Sequence, residues 1–425
     1  MPGRLAARDG RPVVLHYCQH SVGLGHLVRS LAVAGALAER FRVVLASGGP
    51  VPDGLAVPPG VEVVQLPPIG SADGSATSLV SLDPAVTAEQ AWARRAEILG
   101  GLLAGLRPVV VMVELFPFGR RAFAGELLPL LQAARAMVPR PVVVSSVRDI
   151  LVAGGPDQQR RDDVAAGRLR ELFDAVVVHA DPRLVTLQET FAPSTPLGTP
   201  VHYSGFVVPR TGRPVRRGRP RPQVLVSAGG GRTGGPLLRV AIDAHLEHFR
   251  HMGLTTRVVT GPFLPEAERR ALQAEAAPWP SLSVERFVPD LCAAMVEASV
   301  SISQCGYNTT MDLLRAGVPA VVVPHDAGRE TEQAERAGRL HALGVLQVVR
   351  SAELDASRLA AEVRTLLHRR PATVALDLDG AAATAEIVAE LAGLRRRRVR
   401  QTPQSIAPGA AVCTATGVPL AARAG

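Results

Sequence analysis

The sequence predicts an α/β protein made of two Rossmann-like domains, and three observations predict it. Short β-branched runs alternate with longer Ala/Leu/Arg segments along most of the 425 residues, as in βαβ units. The runs are apolar at successive positions, as parallel strands covered by helices on both faces must be. The alternation breaks once, in GFVVPRTGRPVRRGRPRP (205–222), where Pro, Gly and Arg replace apolar periodicity. A chain of this length also exceeds one ordinary hydrophobic core.

Each element follows in order. Residues 1–11 are polar, carry Pro and Gly, and are expected to be disordered. The first domain, 12–204, has strand candidates at 12–17, 41–47, 109–115, 141–147 and 174–180. Its clearest helix lies between His26 and Glu39, where Leu27, Leu31, Ala34 and Leu37 or Ala38 share one face. The segment 205–222 reads as a linker. The second domain, 223–394, has strand candidates at 223–228, 256–260, 299–303 and 320–324, and a helix from about Thr309 to Ala316 that Gly317 stops. Residues 395–425 read as a disordered basic tail.

Charge narrows the function. The formal charge is +9, yet six arginines lie in 210–221 and six more after Leu394, and the remainder carries about −3. Basic loops and a basic tail on a near-neutral body do not predict nucleic acid as a partner. All 47 basic residues are arginine. A Schiff-base lysine, a pyridoxal-phosphate lysine and a P-loop lysine are therefore excluded. Any phosphate must be met by arginine, backbone amides or helix N-termini. Cys18, Cys292, Cys305 and Cys413 form no CxxC pair and no metal-ligand spacing, which fits a reducing cytoplasm and predicts no metal. The start shows no signal-peptide pattern, and no apolar run reaches the roughly 18 residues of a membrane span. The expected location is cytoplasmic, with the Arg395–Arg398 run offering either peripheral contact at the inner membrane face or a solvated tail.

Three strand–turn–helix junctions carry the candidate chemistry. In SVGLGHLVRS (21–30), Gly23 and Gly25 lack the third small residue of a dinucleotide fingerprint, since Val28 occupies it. The glycines instead admit a ligand to the backbone, and His26 is either a proton acceptor at the strand end or a histidine satisfied within the turn. VLVSAGGGRTGG (224–235) presents Gly229, Gly230 and Gly231, an anion cradle needing no lysine, or else a surface loop. SQCGYNTTMDLLRAGVPAVVVP (303–324) places Asn308 and Thr309 at a helix start, able to donate to phosphate, and Asp312 one turn on, able to accept from ribose hydroxyls. Glu332 and Gln333 can read sugar hydroxyls or form a solvated helix face. Glu114, at a strand end, is a second acid–base candidate. Arg148 and Asp149 offer a ligand contact or a salt bridge. DLDG (377–380) looks like a phosphatase nucleophile motif, but it does not follow an N-terminal strand, and the lysine that motif needs does not exist here.

QCGYNTTMD, the following LLRAGVPAVVVP and the later Glu332–Gln333 pair resemble the donor-binding region of GT-B nucleotide-sugar glycosyltransferases. From about 12 to 394 the chain looks most like their MurG-related branch. GLGHLVRSLAVA also resembles the G-x-G-H-x-x-R segment of nucleotide-sugar hydrolases on the same fold. The resemblance implies a GT-B fold, two Rossmann-like domains facing a central cleft, with a last helix able to cross back to the first. It places His26, Gly23 and Gly25 near the acceptor and donor diphosphate, and Gly229, Gly230, Gly231, Gly306, Asn308 and Thr309 on that diphosphate. Phe287 and Val288 would contact the base, Asp312 the ribose, and Glu332 with Gln333 the sugar. Two positions depart from the plant-type pattern: Gln304 replaces a histidine, and Asp312 replaces a longer glutamate.

The expected activity is inverting, metal-independent transfer of a sugar from a nucleotide diphosphate, UDP-hexose or UDP-N-acetylhexosamine, to an acceptor hydroxyl of unknown identity. His26 is the first candidate base and Glu114 the second. The nucleotide-sugar is a substrate, so no cofactor is expected, and the linker would serve as a hinge for closure. Two alternatives stay open: hydrolysis of a nucleotide-sugar on the same scaffold, and a non-catalytic nucleotide-sugar-binding protein.

Overall fold

The computed structural model describes residues 10–20, 24–52, 55–71, 79–152, 157–209, 222–326, 331–368 and 372–394. In the first half the strands are β1 (Val13–Cys18), β2 (Arg42–Ser47), β3 (Val61–Gln65), β4 (Ile69–Ser71), β5 (Leu79–Ser81), β6 (Val110–Glu114), β7 (Val142–Arg148), β8 (Ala175–His179) and β9 (Val201–Tyr203). They alternate with helices α1 (Gly25–Leu37), α2 (Ala88–Leu106), α3 (Ala124–Arg135) and α4 (Gln158–Leu172). The second half contributes β10 (Gln223–Ser227), β11 (Thr255–Val259), β12 (Leu282–Glu285), β13 (Val300–Ser303), β14 (Ala320–Val322) and β15 (Gln347–Val348). Its helices are α5 (Gly235–Glu247), α6 (Glu266–Ala276), α7 (Leu291–Glu297), α8 (Tyr307–Ala316), α9 (Glu332–Ala342), α10 (Ala356–His368) and α11 (Gly380–Leu391).

Two parallel sheets result, ordered β3-β2-β1-β6-β7-β8-β9 and β12-β11-β10-β13-β14-β15, with β4 and β5 pairing as a separate antiparallel ribbon. The central strands are buried along nearly their whole length, so apolar residues alternate between two helix layers rather than between core and solvent. In each sheet the chain winds outward, then returns to the other side of its first strand. The strand order therefore reverses between β1 and β6 and again between β10 and β13. Ligands of open α/β sheets sit at the carboxyl ends of such strands.

The expected central strands are all present. Edge strands β3, β9, β12 and β15 were not expected, because VEVVQ, VHY, LSVE and QV are short and only partly buried. One boundary changes. Phe206, Val207 and Val208, assigned by composition to the linker 205–222, are buried instead. The Phe206 N–H donates to the Asp377 carbonyl, and the Val207 N–H donates to the Tyr307 hydroxyl. Residues 210–221 lie outside the described residues, as do 1–9 and the tail 395–425.

α11, within the range 223–394, is the last helix that the resemblance expected to cross back to the first domain. It packs on α1 of that domain, where Ala381, Ala385, Val388 and Ala389 join Val33, Ala34 and Leu37. Small residues on α11 let the two helices approach closely. DLDG is the crossing point: Asp377 donates its N–H to the Asp181 carboxylate, and a Cβ at Gly380 would stand 2.4 Å from the Gly205 carbonyl oxygen. The Asp377 carboxylate accepts the Asp379 N–H and so braces that crossing. Among the described residues no helix is long and apolar enough to cross a membrane.

Candidate active site

The first reversal point is built by β1, α1 and β6. Gly23 lies outside the described residues. α1 begins at Gly25 without a side-chain cap, His26 follows, and Arg29 sits one turn later on the same side. Glu114 is the last residue of β6 and fully buried. His26 Nδ1 stands 2.6 Å from Glu114 Oε1, and Arg29 Nη2 stands 2.5 Å from the same oxygen. Burial alone would raise the Glu114 pKa, but His26, Arg29 and Arg120 together hold it well below the usual carboxylate range. An ionised carboxylate only accepts, so Nδ1 carries the imidazole proton and Nε2 keeps its lone pair. Burial, opposed by Glu114, depresses the His26 pKa to about 3, which leaves the ring neutral near pH 7. The His26 side chain is 22% exposed, so the ring is held from behind but still reached by solvent.

The second reversal point faces it. β10 runs into Gly229, Gly230 and Gly231, with Gly229 and Gly231 at φ +58° and +90°. A Cβ on Gly231 would stand 2.4 Å from the Thr260 carbonyl oxygen, so only glycine fits there. Next to this turn, β13 leads through Gly306, an N-cap without a side chain, into α8. Its first turn carries orphan N–H groups and the positive end of the helix dipole. Thr309 Oγ1 lies 3.4 Å from where a Gly229 Cβ would be, so turn and helix start adjoin. Asn308 Nδ2 donates 3.1 Å to the Gly25 carbonyl across the domains. Gln304 donates to the Thr233 carbonyl and thereby braces the glycine turn.

Further along, Asp312 lies beside Asp290. Burial first, and Asp290 second, raise its pKa to about 7 against the pull of Arg315. Phe287 is 66% exposed, an unusual position for a phenylalanine in a chain with few aromatics. Its neighbour Val288 packs into the core instead.

Glu332 and Gln333, at the start of α9, are engaged within the protein. Gln333 Oε1 accepts the N–H groups of Cys305 and His325, tying the ends of β13 and β14 together. Glu332 pairs with Arg148 of the first domain. Arg148 and Asp149 thus do not pair with each other. Asp149 instead takes a bidentate contact from Arg336, at 2.6 and 2.8 Å, with both residues fully buried. Arg336 also donates to the Cys305 carbonyl. Tyr307 enters the first domain, donates to the His179 carbonyl at 3.1 Å, and lies under the guanidinium of Arg29 at 5.1 Å. Sequence reading passed over Tyr307 and Arg336, and met Arg29 only as the arginine of the G-x-G-H-x-x-R segment, with no role given to it. Only Arg29 left a signal, its helical spacing from His26.

Residues 229–390 match the glycosyltransferase family 28 C-terminal domain. The chain is 28% identical over 215 residues to a UDP-N-acetylglucosamine--N-acetylmuramyl-(pentapeptide) pyrophosphoryl-undecaprenol N-acetylglucosamine transferase of Anaeromyxobacter sp., covering 46% of this chain and 55% of that one. It is 31% identical over 179 residues to the enzyme of the same name from Xanthomonas campestris, covering 42% and 40%. The chain thus spans about half, or less, of the length of these curated relatives. Among solved structures, the calicheamicin glycosyltransferase CalG4 has a TM-score of 0.55 at 19% identity, covering 90% of this chain and 94% of that one. MurG of Acinetobacter baumannii has 0.55 at 17% identity, covering 89% and 100%. These two share the fold.

Proposed function

From a chain that carries a C-terminal domain of the glycosyltransferase family 28 type on a GT-B fold, we propose an inverting, metal-independent glycosyltransferase. It moves a hexose or N-acetylhexosamine from a UDP-linked donor to an acceptor hydroxyl. One observation carries the reading. A neutral histidine backed by an ionised carboxylate, at one reversal point, faces a glycine turn and an uncapped helix start at the other.

In this reading His26 Nε2 takes the proton of the acceptor hydroxyl as its oxygen bonds to the anomeric carbon. The bond from that carbon to the diphosphate oxygen breaks on the opposite side, and its electron pair leaves with UDP. One displacement inverts the centre. Glu114 stabilises the imidazolium formed. The charge on the leaving diphosphate is met by fixed N–H groups of Gly229–Gly231 and of the α8 start, with Thr309 beside them. These dipoles supply what a metal would, so none is called on. Phe287 offers a face to the base, Asp312 an acceptor to the ribose, and Gln333 Nε2 a donor to the sugar.

The same His26–Glu114 couple would activate water as readily as a sugar hydroxyl, so the hydrolase reading has its own support. Incubation with UDP-GlcNAc alone separates the two. Transfer predicts donor binding, seen as a raised Tm, with only slow UDP release. Release that is rapid without any acceptor would establish hydrolysis instead.

The ribose contact has a pH signature. Ionisation makes a carboxyl group a stronger acceptor and frees both oxygens to take hydroxyl protons, so uridine affinity is expected to rise as pH passes about 7. In Asp312→Asn that rise is expected to vanish. The linked stability runs the other way. The raised pKa adds stability below the ordinary value of 3.8, and this is lost as pH climbs through about 7. Uridine titrations between pH 5.5 and 8.5, a range of about 1.5 units on either side, measure the first effect. A profile equally flat in both proteins would remove Asp312 from the site.

A further inference from the structure

Behind the His26–Glu114 couple, the first domain holds charge that the proposed transfer does not use. Glu114 Oε1 receives His26 and Arg29, while its buried Oε2 has no hydrogen-bond partner among the described residues. Arg120 Nη2 stands 3.9 Å from that oxygen, beyond hydrogen-bond reach. Neither Nη2 nor Nε of Arg120 has a hydrogen-bond partner among the described residues, although both are buried. Guanidinium donors at a protein surface find water; buried ones need a partner or a ligand.

The backbone puts Arg120 there at a cost. Leu115 and Arg120, at φ +64° and +56°, flank the return loop after β6 in a left-handed conformation that side chains disfavour. The loop is closed by the Gly119 N–H on the Leu115 carbonyl and anchored by the Leu115 N–H on the Ser146 carbonyl. It thereby swings Arg120 back over Glu114, six positions earlier in the chain.

The local charge does not balance. Among the described residues, Arg29 and Arg120 face one carboxylate, Glu114, while burial lowers His16, His20, His26 and His179 to about 4, 4, 3 and 3, leaving all four neutral near pH 7. Arg121 continues the positive surface toward Arg161 and Arg168, with Asp162 as the opposing acid. Interiors hold charges that are compensated, and among these described groups Arg29 and Arg120 exceed Glu114 by one positive charge.

We infer that Arg120 anchors an oxyanion subsite in the first domain, and that the acceptor carries a phosphate or carboxylate close to the hydroxyl that receives the sugar. The inference rests on the transferase reading above. The donor's own diphosphate is the competing source of the same chemistry, but its cradle at Gly229–Gly231 and the α8 start belongs to the other domain. Arg120 is suited to the task because its planar fork can hold two oxygens at once.

Inorganic phosphate titrated into UDP-saturated protein tests this, with wild type, Arg120→Gln and Arg120→Lys compared by thermal shift. Phosphate is expected to raise the wild-type Tm saturably, and Arg120→Gln to weaken its binding by about tenfold or more. Arg120→Lys, which keeps the charge and loses the fork, is expected to fall between. UDP affinity is expected to stay within about threefold in all three, which also shows that they are folded. Phosphate binding that is absent from wild type, or equal in wild type and Arg120→Gln, overturns the subsite. A large loss of UDP affinity in Arg120→Gln, with phosphate excluded by UDP, assigns the arginine to the donor and overturns the acceptor assignment. Failure of UDP to bind wild type strikes the donor reading alone. Phosphate binding dependent on Arg120 would then still support the anion site, and its absence would overturn that too.

Discussion

His26→Ala is expected to lower kcat by about 10²–10⁴-fold, the usual contribution of a positioned general base, with UDP affinity changed little. The variant removes the acceptor of the proton and leaves the donor cradle of the second domain intact. Glu114→Gln is expected to act in the same direction. It removes the charge that stabilises the imidazolium, and the neutral amide can present its NH2 and turn the ring to the wrong tautomer. The pH profile carries its own signature. Burial, outweighing Glu114, sets the His26 pKa at about 3, and the base works only when unprotonated. At saturating donor, wild-type kcat should therefore show no acid limb near 6.5 from this residue, which is lost as a base only as pH drops toward about 3. Steady-state kinetics with the cognate donor measure both. If His26→Ala kept full turnover, the imidazole would not be the base, whether the acceptor is a sugar hydroxyl or water.

The second large effect is on stability. Asp149→Ala or Arg336→Met, made singly, is expected to cost about 3–5 kcal/mol, because each leaves its partner as an uncompensated buried charge. Arg336 lies fully buried with Asp149 at an interface between domains, and Tyr307 passes beside it at 5.8 Å. Replacing both residues with apolar ones of similar volume is expected to recover much of the loss, since neither charge is then stranded. The pH dependence follows from Asp149. Burial alone would raise its pKa, but Arg336 holds it below 3.8, so the carboxylate adds stability above that value. That stability is lost as pH falls through the lower, folded-state value. Urea unfolding of the two single variants and the double variant measures the coupling. Singles that cost no more than an exposed pair would mean that the domains are held by other contacts. The pair also bears on closure: any hinge at 205–222 that separates the domains here must first break a buried, bidentate ion pair.

Much of this molecule is legible in the chain. The central strands could be read because a parallel strand, covered on both faces, must be apolar throughout, and PVVLHY, VVVMVEL and DAVVVHA satisfy that without any partner being known. The glycine turns could be read because the backbone at Gly229 and Gly231 adopts positive φ, which few other residues accept. Edge strands were hidden, since VEVVQ and LSVE are half-polar and their pairing is decided by the neighbour.

Residue types are a local property, so the sequence by itself determined two α/β domains, their glycine turns and a histidine and carboxylates at strand ends. Partnerships are not local. His26 meets Glu114 88 positions away because β1 and β6 pair side by side in one sheet, and Arg336 meets Asp149 187 positions away because α9 of the second domain packs against the end of β7 in the first. Only the tertiary structure decided that Gln333 braces backbone amides, that Arg148 answers Glu332, and that Arg120 hangs over a carboxylate it does not reach. Each depends on distances between chain segments, which no spacing within either segment encodes.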